Sequence, residues 1–230
     1  LDLAAFNTVA SMGTLLIAIG QFNVDGLTAA MYYLVHSTIA GAALFLIVDL
    51  IAARRTLKLD VLVPGNPISQ AAILGTLFFL VAIAVIGLPP LSGFVGKLMV
   101  LDATYGAPRA WLIWGTILVA SLMMTIAFAR AGSTIFWKTD GQTTGPSWEN
   151  TSKTPMIVVA LFVGASLMLS VFAGPAVRAL HATAAQALDT QNYVNAVLGA
   201  SKNTEPERPI TEPADEATSV PVPAETLGEQ

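Results

Sequence analysis

Between Ile86 and Leu101 the chain interrupts a membrane-length apolar run with Pro89-Pro90 and then places a lysine, Lys97, inside the apolar stretch that follows. Upstream, residues 68–86 are almost wholly apolar, and roughly 20 such residues let an α-helix cross the hydrocarbon core. Pro90 has no N–H and its ring drives Pro89 out of the α region, so the helix must end there. Gly87, Gly93 and Gly96 relax the backbone around the break. Non-helical backbone is tolerated at membrane depth only where protein buries it or water reaches it. The stretch therefore predicts a protein-lined, hydrated pocket at a discontinuous helix.

Lys97 is flanked by Val95, Leu98, Met99, Val100 and Leu101, which places it away from a helix end. A lysine at the bilayer centre costs about 2.5–3.5 kcal/mol on insertion scales, and such residues mark ion paths and proton relays. The competing reading is a lysine that snorkels to the interface.

Composition fixes the class. Hydrophobic residues make up 54% and charged residues 11% of the 230, against about 25% charged in ordinary soluble domains. The fold expected is all-α, a polytopic transmembrane helix bundle. The net charge of −4 is concentrated in acids after Glu205, so no basic nucleic-acid footprint exists. There is no cysteine, hence no disulfide framework and no cysteine-based metal site. No flavin, haem or iron–sulfur ligand set is present, and no cofactor is expected.

The bundle is expected over 1–175, with membrane segments at 3–20, 27–53, 68–88, 90–105, 110–137 and 155–173. An amphipathic helix is expected over 176–200, lying at the interface or against a partner. Residues 201–230 form an acidic, Pro-rich tail that lacks the apolar residues to offset ordering entropy. Arg54, Arg55 and Lys58 put the 54–66 loop on the cytoplasmic side. The sequence opens inside an apolar segment with no signal-peptide features, and it reads as the C-terminal part of a longer membrane protein.

His36 lies about a third of the way along the second segment, where an imidazole can exchange a proton near neutral pH; its alternative is an interhelical hydrogen bond. Thr8, Ser11 and Asn7 give the first segment a polar content that suits close helix packing.

With these pieces in order, the arrangement of His36 helix, basic loop, apolar helix and Gly87-Leu88-Pro89-Pro90-Leu91-Ser92-Gly93-Phe94-Val95-Gly96-Lys97 resembles the antiporter-like proton-translocating family. That family includes the large subunits of Mrp-type cation/proton antiporters and the membrane-arm subunits of respiratory complex I. Phe6 to Gly13 resembles the family's Tyr-Ser-Ser-Ile-x-Gln-x-Gly helix. Ala131 to Trp137 and Tyr193 to Leu198 resemble the D-type subunits of Mrp-type antiporters. The resemblance runs from about Leu3 to Leu198.

The resemblance implies two inverted five-helix repeats, of which the second is present here, in a multi-pass protein of the inner (plasma) membrane. It implies partner subunits in a hetero-oligomeric complex and protons with Na⁺ or K⁺ as cargo. Lys97 maps onto the lysine of the interrupted helix and His36 onto the histidine of a central hydrated axis. Relatives often carry a lysine about one turn after that histidine, where this sequence has Ile39-Ala40-Gly41-Ala42-Ala43. The polar-axis candidates that would bridge the gap are water, Ser37, Thr38 or another subunit, with Ser11 and Thr8 facing the same axis. The function implied is proton translocation within a Na⁺/H⁺ or K⁺/H⁺ antiporter, which is a secondary transporter and not an enzyme. The alternative is a proton-pumping membrane subunit of a complex I-like oxidoreductase or a membrane-bound hydrogenase. A purely structural scaffold is the third reading, and a lysine inside the membrane beside a broken helix argues against it.

Overall fold

The computed structural model describes residues 2–55, 68, 70–138 and 154–202. The basic loop beyond Arg55, the polar loop over 139–153 and the tail from 203 onward lie outside the described residues. Two compact units are distinguished, Leu1–Asp189 and Thr190–Gln230.

Within the first unit, among the described residues, the order is α1 (Asp2–Ile19), α2 (Val24–Ala53), α3 (Ala71–Ile86), α4 (Ser92–Ala103), α5 (Ala110–Gly132), α6 (Thr154–Val171) and α7 (Ala173–Ala187). The helices α1, α2 and α6, together with α5 continued to Trp137, are each long and apolar enough to cross a membrane. Every regular element among the described residues is helical.

The thirty-residue α2 is the organising element, packing on α1, α3, α4, α6 and α7. Its start is set by Asn23, whose side chain accepts a 2.7 Å bond from the Gly26 N–H in an N-cap, and by Asp25 in the first turn, where negative charge meets the positive end of the helix dipole. α2 is apolar nearly all round and is buried on several sides, as befits a helix with five helical neighbours: Thr28, Ala29, Ala30, Tyr32 and Tyr33 are all buried in its first half, and His36, Ala40, Ala43, Leu44, Ile47, Leu50 and Ile51 beyond them.

The segments expected at 68–88 and 90–105 are the two helices α3 and α4. With 16 and 12 residues and a rise of 1.5 Å per residue, they are about 24 and 18 Å long. Neither alone crosses a hydrocarbon core of about 30 Å. Gly87 ends α3 in the left-handed region at φ 83°, a conformation glycine adopts without a Cβ penalty. Its N–H reaches back to Ile83 O and Ala84 O, and the Leu88 N–H bonds Ile83 O at 3.0 Å. The Pro89-Pro90 bond is cis. Leu91 is extended, and α4 begins at Ser92.

Two boundaries differ from the sequence reading. Helix α6 ends at Val171, and α7 begins at Ala173 with Gly174-Pro175 in its first turn. Pro175 has no N–H for the Val171 carbonyl, so it ends α6 while fitting the opening turn of α7. The region 176–200 holds two helices, because α7 stops at Ala187 and α8 (Thr190–Lys202) forms in the second unit. Asp189 lies between them, a residue favoured at helix starts over helix interiors. Beyond Gly132, α5 continues as a π-helical turn, Ser133–Trp137. A Cβ at Gly132 would stand 2.5 Å from Phe79 Cζ.

Candidate functional site

The site is built where α4 leaves the break and turns back against α2. A Cβ on Gly93 would overlap the Ala84 carbonyl oxygen and stand 2.9 Å from His36 Nε2 and Cε1. Only glycine lets α4 approach α2 and α3 this closely at that point. Gly96, one turn later, faces the Tyr33 ring, with Cδ2 3.0 Å from where a Cβ would be. Gly87 adjoins Gly93, since its own Cβ would lie 3.1 Å from the Gly93 carbonyl oxygen and 2.9 Å from Lys97 Cδ. His36 therefore stands against Gly93 and Lys97 against Gly87, two glycines that adjoin at the break. No hydrogen bond joins them directly among the described residues.

Lys97 turns into the bundle. Its Nζ donates to Ile86 O at 2.6 Å and to Ser121 Oγ on α5 at 2.8 Å. Ile86 is the last residue of α3, and the carbonyls of a helix's last turn have no intrahelical partner. They carry the negative end of the dipole, which favours a cation there. The ammonium thus compensates a helix end that the break exposes. Both of its partners are neutral oxygens. Snorkelling to the interface does not describe this side chain.

Beside Lys97 is a cavity in which water centres have about 20 Å³, enough for at least one water. Its polar lining comes from Asn7, Ser11 and Thr14 of α1, Tyr33 of α2, Ser121 of α5 and Lys97 itself. The Ser11 and Tyr33 hydroxyls are 3.2 Å apart. The spacing of Asn7, Ser11 and Thr14, at i, i+4 and i+7, puts them on one face of α1.

On the other flank, His36 is buried at 2% exposure. Its Nδ1 is 2.8 Å from Ser92 Oγ, and Ser92 Oγ is 2.8 Å from Ser166 Oγ on α6. The Tyr33 and His36 rings are 5.7 Å apart between centroids.

Of the residues singled out from sequence, Lys97, His36, Gly87, Pro89, Pro90, Gly93, Gly96 and Ser11 converge at the break or line the cavity. Ser37 and Thr38 do not. Their hydroxyls bond back to Leu34 O at 3.1 and 2.8 Å, because one and two positions past His36 are rotations of about 100° and 200° away from the buried face. Thr8 likewise bonds back to Ala4 O and is absent from the cavity lining. Sequence reasoning did not select Ser121, Ser166, Tyr33 or Ser92 for the site. For Asn7 and Thr14 the signal was available in their spacing with Ser11. For Ser121 and Ser166 none existed, since a lone serine in an apolar helix most often packs.

The family model described as NADH:quinone oxidoreductase/Mrp antiporter, TM matches residues 2–125, over half the chain. The chain belongs to this family. His36, Ser92, Lys97 and Ser121 all lie in the matched part of the chain, and Ser166 lies beyond it. Family membership, together with four helices among the described residues that are long and apolar enough to cross a membrane, makes it a multi-pass membrane protein.

Among curated relatives, the probable D-type subunit of a K(+)/H(+) antiporter from Rhizobium meliloti (strain 1021) is 31% identical, over 87% of this chain and 42% of that protein. The D-type subunit of the Na(+)/H(+) antiporter from Bacillus subtilis (strain 168) is 29% identical, over 86% of this chain and 40% of that protein. The chain thus spans about two fifths of the length of these relatives. A chain in the structure of the Mrp complex from Dietzia sp. DQ12-45-1b superposes with a TM-score of 0.65 at 22% identity, covering 85% of this chain and 44% of that one, a likeness of fold.

Proposed function

We propose that this chain is the proton-translocating part of a D-type subunit in a multisubunit antiporter that exchanges Na⁺ or K⁺ for protons, with Lys97 and His36 as the proton carriers. The observation that carries the reading is the Lys97 ammonium inside the bundle, bonded to the Ile86 carbonyl at the helix break and facing a water-sized polar cavity. A lysine so placed has neutral oxygens ready for its charged form and water at hand to take its proton. His36 stands against Gly93, which adjoins the Gly87 that Lys97 packs on, so a proton passed between the two groups has a route that water can bridge, at little cost relative to a direct bond.

The names of the R. meliloti and B. subtilis relatives support cation/proton exchange for the whole assembly. The inner membrane and a hetero-oligomer with other antiporter subunits follow from the same reading. The second of two inverted repeats remains the proposed place of these helices within the full protein. The family also includes NADH:quinone oxidoreductase subunits, which keeps a redox-driven pump as the second reading.

Everted vesicles carrying the complete assembly separate the two. Under an imposed pH gradient, added Na⁺ or K⁺ collapses the gradient if the assembly is an antiporter. A redox pump instead builds the gradient on addition of an electron donor and is indifferent to the cation.

A further inference from the structure

The Lys97 ammonium has no counter-charge among the described residues. Its two hydrogen-bond partners, Ile86 O and Ser121 Oγ, are neutral. Every described acidic side chain, Asp2, Asp25, Asp49, Asp102 and Asp189, is exposed, while the ammonium lies inside the bundle. A charge taken out of water is destabilising unless an opposite charge and hydrogen bonds answer it.

The cavity beside Lys97 collects donors with nothing to donate to. An ammonium carries three N–H groups, and the third has no acceptor among the described residues once Ile86 O and Ser121 Oγ are served. Ser121 Oγ accepts from Lys97, and its own O–H likewise has no acceptor among the described residues. Asn7 on α1 is only 7% exposed, yet its side-chain amide makes no hydrogen bond among the described residues. All three side chains line the one cavity. Buried polar groups are normally paired, so an open amide at this burial marks a place for a ligand.

Charge selects the ligand. A second cation would be repelled by the ammonium at close range. Water can accept from the donors but leaves the charge unanswered. A halide ion accepts from all three groups and neutralises Lys97. Being a single atom, it also suits a space in which water centres have about 20 Å³. Val85, Ile117 and Met124 complete the wall, and such apolar surroundings strengthen an ion pair by keeping bulk water away.

We infer that the cavity between α1, α4 and α5 is a binding site for a halide ion, chloride in the cell, held by Lys97 Nζ, the Ser121 hydroxyl and the Asn7 amide. Ser11 and Tyr33, whose hydroxyls are 3.2 Å apart, close it toward α2. Halide and water occupy the cavity in turn. The site stands on the geometry around Lys97 and is independent of the proposed exchange activity.

The test is thermal unfolding of the native full-length protein in lipid nanodiscs, with sodium chloride replaced stepwise by sodium gluconate so that Na⁺ and ionic strength stay constant. A ligand that binds only the folded protein raises the unfolding temperature as its concentration rises past its dissociation constant. The wild type is expected to show this rise with chloride and with bromide, and none with gluconate. Asn7→Ala removes a hydrogen bond to an ion, so about 10-fold more chloride should be needed for the same rise. Asn7→Asp puts a carboxylate where the amide stands. It should unfold without chloride at the temperature the wild type reaches with it, and its chloride response should vanish. Crystals of the wild type grown in bromide should show anomalous scattering between Lys97 and Asn7. Equal wild-type unfolding temperatures in chloride and gluconate, or bromide found only on the protein surface, overturn the inference, and both are decided even if neither variant folds. A full chloride response in folded Asn7→Asp overturns it as well, since the halide then acts elsewhere. No transport enters these readouts, so their failure leaves the antiporter reading intact, and loss of that reading leaves the halide site standing.

Discussion

The Nζ of Lys97 lies 2.6 Å from the carbonyl oxygen of Ile86, eleven residues earlier and on the far side of the helix break. The break therefore does two things at once. It leaves the Ile86 carbonyl at the end of α3 without an intrahelical partner, and it brings back, one helix later, the cation that bonds it. A charge that would be costly in lipid is placed where backbone dipole and hydroxyl oxygen receive it.

This geometry sets the response to substitution at Lys97. Lys97→Ala leaves the Ile86 carbonyl and the Ser121 hydroxyl without their partner and removes the proton-bearing group. Proton-coupled exchange should fall by on the order of 10²-fold, the low end of what a positioned proton-transfer group contributes. Lys97→Arg keeps the charge but replaces a compact ammonium with a planar fork that releases its proton far less readily. It should preserve assembly and still fail in transport, as read by exchange rate per assembled complex. Wild-type rates in Lys97→Arg would show that charge alone suffices.

Ser121 supplies the second oxygen. Ser121→Ala removes one hydrogen bond to an ionised group, worth about 1.5–3 kcal/mol, while the Ile86 carbonyl remains. The expected result is a partial loss of exchange, with the proton dependence of the rate displaced, and recovery in Ser121→Thr. Equal rates in the alanine and wild-type proteins would make this contact incidental.

Glycine substitutions separate close approach from mere absence of a side chain. Gly93→Ala forces a methyl into the Ala84 carbonyl and the His36 ring, so folded protein should be strongly reduced. Gly41→Ala meets nothing within 4 Å and lies inside α2, where alanine is favoured over glycine by roughly 0.5–1 kcal/mol. Thermal unfolding of the detergent-solubilised protein, followed by size-exclusion chromatography, should show the second variant at least as stable as wild type. A Gly93→Ala protein with wild-type stability would contradict the packing described at the break.

The break itself is legible in the sequence because Pro-Pro and the glycines act through local backbone chemistry that no tertiary context can cancel. Lys97 is legible for a similar reason, since a charge amid apolar residues demands an explanation wherever the helix packs. What the sequence does not carry is which oxygen answers the charge. Ser121 and Ser166 reach the site through the rotation of α5 and α6 against α4, a register fixed by packing over the whole bundle. Ser37 and Thr38 illustrate the converse. Adjacency to His36 in sequence suggests a shared axis, but on a helix adjacent positions point in different directions, and the back-bonds to Leu34 hold both hydroxyls away. The site is read more securely from helical spacing, as with Asn7, Ser11 and Thr14, than from neighbours in the chain.

The central claim is that His36 and Lys97 serve one proton path. It is tested most directly by a double-mutant cycle of His36→Ala and Lys97→Ala, with cation-driven proton exchange measured in everted vesicles at matched levels of assembled complex. Residues acting as a unit are non-additive. Each single substitution should impair exchange, and the double variant should be little slower than the poorer single one. If the two partial defects multiply fully, or if His36→Ala exchanges at the wild-type rate, the two residues do not share a path and the account is contradicted.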